Sequence, residues 1–127
     1  MILTNGQFRF VFFTRDYKAS VEFYHDGLGL PIDHDWDYGP GDKGTVFKAG
    51  NGMVEVMALA PGADYTSPQG CGLYMQVKDA DRSFRLAKER RLPVVQEPET
   101  FPWGQRAFKL SDPDGVVLTL FQDVSQA

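Results

Sequence analysis

The chain has 127 residues, 43% hydrophobic, with a net charge of −4, which suits one domain (1–127) with one continuous core and is too apolar for disorder. No run of about 18 apolar residues occurs, so no helix is expected to span a membrane, and the start MILTNGQFRF lacks the basic-then-apolar form of a signal peptide. There is no basic stripe to meet phosphates, which argues against a nucleic-acid partner, and a single cysteine, Cys71, points to a reducing, cytoplasmic location.

The run Phe8–Phe13 is rich in aromatic and β-branched residues and reads as a strand. Asp16 then caps a helix with an apolar stripe of Val21, Phe23, Tyr24 and Leu28, stopped by Gly27 and Gly29. Strands are expected near 31–37, 44–49 and 53–59, the last two joined by the hairpin signal Asn51-Gly52. The Pro/Gly/Ser-rich segment 60–70 reads as a linker. Leu73–Val77 then reads as a strand, and Asp79 caps a helix carrying Phe84, Leu86 and Ala87 and ended by Leu92-Pro93. The cluster Lys88-Glu89-Arg90-Arg91 sits at the end of that helix, where it favours the helix dipole. Three more strands are expected near 93–97, 105–110 and 116–122, with Asp112-Pro113-Asp114-Gly115 as a turn.

These elements repeat. Thr14–Ser20 returns as Val77–Ser83, 63 positions later, and Asn51-Gly52 and Asp114-Gly115 keep the same offset. The fold class is therefore α+β, with two tandem βαβββ modules, about 7–59 and about 71–123. One helix covers only one face of a sheet. The expected architecture is a curved, mixed eight-stranded sheet around a cleft, whether the modules pair within a chain or across a dimer.

Asp16, then Phe23-Tyr24, then Leu28-Gly29, with the late Asp112-Pro113-Asp114-Gly115 hairpin, resembles the glyoxalase/bleomycin-resistance/extradiol-dioxygenase (vicinal oxygen chelate) superfamily over about residues 7–122. The fold hosts isomerases, dioxygenases, thiol transferases and drug binders. The resemblance implies four metal-ligand positions, which fall on Arg9, Glu55, Gly72 and, after a one-residue gap in the repeat, Thr119. Arginine cannot ligate and glycine has no side chain, so no metal and no cofactor is expected. His25 and His34 lie off these positions.

With those positions facing the cleft, alternation adds Val11, Phe13, Met53, Met57, Tyr74, Gln76, Val117 and Phe121 to its lining. Phe8, Phe10 and Phe12 then pack under the helix, and Leu73, Met75 and Val77 enter the core. Arg9 is expected to pair with Glu55 across the cleft floor; the alternative is a solvated Arg9. The segment 33–38 alternates acids with His34, Trp36 and Tyr38; the acids read as a solvated edge and Trp36 as a stacking surface. Trp103 is either a lid over a ligand or a packing anchor. Arg106 is expected on the surface, Gly39–Gly44 as an ordinary hairpin loop, and Cys71 as a buried thiol.

The expected function is metal-free binding of an aromatic or amphipathic organic molecule by Arg9, Phe13, Trp36, Glu55, Met57, Tyr74, Gln76, Trp103, Thr119 and Phe121. The resemblance implies a homodimer. The alternatives are a lyase, isomerase or dioxygenase-like enzyme, metal-dependent with other ligands or metal-free through Glu55 or Tyr74, and a partner-binding surface without a ligand.

Overall fold

The computed structural model describes residues 2–125. The first module runs β1 (Arg9–Thr14), α1 (Tyr17–Glu22), a π-helical turn (Phe23–Gly27), β2 (Ile32–Asp37), β3 (Lys43–Ala49) and β4 (Gly52–Ala58). The second runs β5 (Gly72–Gln76), α2 (Ala80–Glu89), β6 (Val94–Phe101), β7 (Gln105–Ser111) and β8 (Val117–Asp123). Each module forms a mixed sheet, in the orders β1-β4-β3-β2 and β5-β8-β7-β6. The first strand of each pairs in parallel with the last, and the other pairings are antiparallel. The α+β class and the two tandem modules are as expected. The eight strands are divided into two sheets of four rather than joined in one, because β1 and β5 are both edge strands. No helix among the described residues is long and apolar enough to cross a membrane.

Local chemistry explains the shared pattern. Asp16 Oδ1 accepts from the Ala19 N–H, and Asp79 Oδ1 from the Arg82 N–H, each at 3.0 Å, so each helix starts on a capped first turn. The β3–β4 turn is one residue earlier than expected. Ala49 pairs with Gly52, so Gly50 and Asn51 form the loop. Gly50, at φ +57°, supplies the positive dihedral that such a hairpin needs at its first central position. β6 continues past Pro98 to Phe101, which an edge strand with an irregular register tolerates.

One core serves both modules. Phe12, Phe23, Tyr24, Phe47 and Val56 join Phe108, Leu110, Leu118 and Leu120 in a single cluster. The β7–β8 turn anchors the modules to each other. Tyr24 donates to Asp112 Oδ2 at 2.7 Å, Ser20 to Asp114 Oδ2 at 3.1 Å and the Arg15 N–H to Asp114 Oδ1 at 3.0 Å. Tyr65, from the linker, also donates to Asp114 Oδ1, at 2.6 Å. Asp112 Oδ1 closes the turn by accepting the N–H groups of Asp114 and Val116. Buried carboxylates are tolerated here because every oxygen is met by a donor.

Two burial expectations are corrected. Phe8 is 74% exposed rather than packed under the helix, because it precedes β1 and lies beyond the reach of α1. Cys71 is exposed rather than buried, because it leads into β5 at a sheet edge.

Candidate functional site

The helices cover one face of each sheet, and the other faces carry the candidate residues. In the first sheet Val11 pairs with Glu55, and in the second Tyr74 pairs with Thr119. Val11 and Tyr74 are 63 apart and Glu55 and Thr119 are 64 apart, so the register contains the one-residue gap and makes Glu55 and Thr119 equivalent.

Arg9 and Glu55 form an ion pair, Nη1 to Oε1 at 2.9 Å, with side chains 32% and 12% exposed. Gln7 Oε1 accepts from Arg9 Nε at 3.0 Å and from Nη2 at 2.7 Å, which fixes the guanidinium plane. Gly72 offers no donor, and Thr119 is a buried hydroxyl. Among the described residues no three His, Cys, Asp or Glu side chains converge as a metal site. One carboxylate already held by a guanidinium does not fit a divalent cation, which with an open position normally takes about three protein ligands.

Beside this pair lies an apolar surface. Phe13 pairs with Met57, and Val11 and Phe13 are about half exposed. Trp36 pairs with Gly44, and a Cβ at Gly44 would lie 2.5 Å from the Trp36 ring. The missing side chain is therefore the seat on which the indole lies flat against β3. His34 stacks on Trp36 with centroids 6.0 Å apart. Asp33, Asp35 and Asp37 are exposed along edge strand β2, and the hydrogen bond from His34 holds the Asp33 carboxyl below its ordinary range.

The open face of the second sheet is a separate aromatic floor. Tyr74 packs on Phe121 at 5.1 Å, with Gln76 alongside, and Trp103 stacks on Phe101 at 4.7 Å and 9°. Gln105 Oε1 joins the two pairs, accepting from Trp103 Nε1 at 3.2 Å and from the Tyr74 hydroxyl at 3.4 Å. Trp103 is 62% exposed. Gln105 and Phe101 were missed in the sequence. Alternation along β7 carries the signal for Gln105, since Ala107 pairs with Phe121 and residues two apart share a face. Arg106 lies on the surface, where it grips both oxygens of Asp81.

The expected residues thus fall into two groups, the candidate half-sites: Arg9, Phe13, Trp36, Glu55 and Met57 with one sheet, and Tyr74, Gln76, Trp103, Thr119 and Phe121 with the other. A cavity of about 850 Å³ at the seam of the modules is lined by Tyr74, Gln76 and Phe121 but not by Arg9, Trp36 or Glu55. Glu55 and Tyr74, the candidate proton-transfer groups, lie on different sheets.

Known proteins are similar to this chain in sequence or fold. A protein from Bacillus subtilis (strain 168), YraH, described only as uncharacterized, is 29% identical over 116 residues, covering 84% of this chain and 90% of its own length. A glyoxalase/bleomycin resistance protein/dioxygenase superfamily member from Sphaerobacter thermophilus DSM 20745 superposes with a TM-score of 0.74 at 24% identity, covering 96% of this chain and 99% of that one. TnmS3, an antibiotic binding protein from Streptomyces sp. CB03234, superposes with a TM-score of 0.74 at 26% identity, covering 97% and 98% of the two chains. The family model matches residues 6–120, and the chain belongs to the Glyoxalase/Bleomycin resistance protein/Dioxygenase superfamily.

Proposed function

We propose that this chain is a metal-free small-molecule binding protein that holds an aromatic or amphipathic organic ligand between the two half-sites. The observation that carries this reading is the makeup of the open faces. Rings lie flat on both sheets (Trp36 over Gly44, Trp103 over Phe101), while the metal positions hold an Arg9–Glu55 pair, a glycine and a threonine. Flat rings offer stacking area, and the few polar groups beside them orient a ligand. The binding activity of TnmS3, at 26% identity, supports the same class.

The half-sites meet, in this reading, across a homodimer. Edge strands β1 and β5 leave Val11, Phe13 and Tyr74 48%, 51% and 59% exposed, and an uncovered apolar edge is a surface proteins normally cover. A second copy that places its β5 beside β1 brings Tyr74 and Trp103 of one protomer opposite Trp36 and Phe13 of the other. The cytoplasm, with its reducing environment, suits the exposed Cys71. The test is tryptophan quenching by a flat aromatic probe, 9-aminoacridine, on protein stripped with chelator. Saturable binding that is lost in Trp36→Ala and Trp103→Ala supports the reading; binding that appears only after a divalent metal is added contradicts it.

A further inference from the structure

The two modules are repeats, yet their seams differ. At the closed seam the β7–β8 turn enters the strand–helix junction of the first module. The Asp114 carboxylate is held there by the Arg15 N–H and the Ser20 hydroxyl, and Tyr24 fills the space behind and donates to Asp112. An offset of 63 maps Arg15, Ser20 and Tyr24 onto Lys78, Ser83 and Ala87, and Ala49 and Asn51 onto Asp112 and Asp114. At this second seam a buried tyrosine is replaced by alanine. The two-residue turn at Gly50–Asn51 carries neither carboxylate and belongs to a shorter connection. The space that Tyr24 and the longer turn fill in the first seam opens here into a cavity of about 850 Å³, lined by Asn51, Lys78, Ser83, Leu86 and Ala87 among others.

The second seam keeps the equivalent donors without the plug. Lys78 and Ser83 line this cavity, and neither the Lys78 N–H nor the Ser83 hydroxyl has a hydrogen-bond partner among the described residues. Their repeat mates hold a carboxylate within the same molecule. The Lys78 ammonium adds a cation, and Asp123 is the one carboxylate residue lining the cavity. The remaining wall is apolar, including Leu28, Met53, Leu73 and Leu92, and the volume is that of a small-molecule site.

We infer that this seam is a second ligand site, which borders the open face of the second sheet at Tyr74, Gln76 and Phe121 and is separate from that of the first, and that it takes an amphipathic monocarboxylate. The carboxylate occupies the place that Asp114 takes in the closed seam, between the Lys78 N–H and the Ser83 hydroxyl. The apolar tail fills the space left by the Tyr24-to-Ala87 difference. One donor pair serves one carboxylate, so the class is monocarboxylic.

The test is calorimetric titration of the full chain with decanoate and with 1-decanol. One decanoate per chain is expected, with decanol weaker by about tenfold or more, the size of one charge-assisted hydrogen bond. Ala87→Tyr refills the cavity and is expected to abolish binding. Ser83→Ala, which leaves the packing intact, is expected to weaken decanoate about tenfold and decanol little. Trp36→Ala, on the open face of the first sheet, is expected to leave decanoate affinity unchanged. Equal affinity for the alcohol, full binding by Ser83→Ala, loss of binding in Trp36→Ala, or no measurable binding of decanoate would each overturn the inference. So would a dimer that Ala87→Tyr converts to monomer, because a second copy would then be the occupant.

Discussion

Arg9 and Glu55 meet at 2.9 Å on the floor of the first sheet, with Gln7 holding the far side of the guanidinium. Each residue makes the other's position tolerable, since a carboxylate only 12% exposed is costly when unpaired. Arg9→Met is expected to lower stability by about 1 kcal/mol, discounted for the partial exposure of the arginine. Glu55→Gln added to Arg9→Met is expected to recover part of that loss. Urea unfolding of the four proteins in a double-mutant cycle reads the coupling, and strict additivity would show that the pair contributes nothing.

The seam carboxylates have opposite pH signatures. Burial pushes the Asp112 carboxyl up, so its ionisation costs stability as pH rises from the ordinary carboxylate range through the raised value. Burial also acts to raise Asp114, but hydrogen bonds from the Tyr65 hydroxyl, the Arg15 N–H and the Ser20 hydroxyl outweigh it and bring the carboxyl down. Asp114 therefore contributes stability above the ordinary carboxylate range that is lost as pH falls through its lowered value. Asp114→Asn is expected to flatten the acid limb of a stability–pH curve. Asp112→Asn is expected to remove the loss of stability that wild type shows as pH rises above the ordinary carboxylate range. Denaturant midpoints across that range check both signs.

Tyr24 donates to Asp112 from a fully buried position. Tyr24→Phe keeps the ring but leaves the carboxylate short of one donor, and is expected to cost about 1–3 kcal/mol. Thermal unfolding measures it, and an unchanged midpoint would show that the hydrogen bond does not bind the modules together.

Trp36 is seated by the absence of a side chain at Gly44. Gly44→Ala in a Trp103→Phe background is expected to lift the indole from the sheet, shift its emission and weaken 9-aminoacridine. Unshifted emission with unchanged affinity would mean that the seat is not what positions the ring.

Exposed Phe13 and Val11 on β1 face the partner in the proposed dimer. Phe13→Lys is expected to shift the chain toward monomer in sedimentation velocity and to lower ligand affinity together with it, because the half-sites separate. A monomeric wild type that still binds would place the whole site within one chain.

Much of the fold was legible because two signals agreed. The 63-residue offset tied Asp16 to Asp79 and the Asn51-Gly52 segment to Asp114-Gly115, and alternation sorted β1, β4, β5 and β8 into faces. The Arg9–Glu55 pair was expected because the family resemblance puts both residues at matching cleft-facing strand positions. Other features depend on tertiary distance. Phe8 alternates correctly with Phe10 and Phe12, yet it lies past the end of the helix that would cover it. Cys71 follows an average for its residue type, which a sheet edge overrides. Gly44 beneath Trp36, Gln105 between Trp103 and Tyr74, and the unequal seams are contacts between strands or modules, and periodicity within one strand does not encode them.

Metal content tests the central claim most directly. Protein purified without chelator or nickel resin is expected to carry less than about a tenth of an equivalent of any divalent metal, well short of the occupancy of a three-ligand site. Near-stoichiometric zinc, nickel, iron or manganese that is lost in Glu55→Gln would contradict it and would make Glu55 a metal ligand instead of the partner of Arg9.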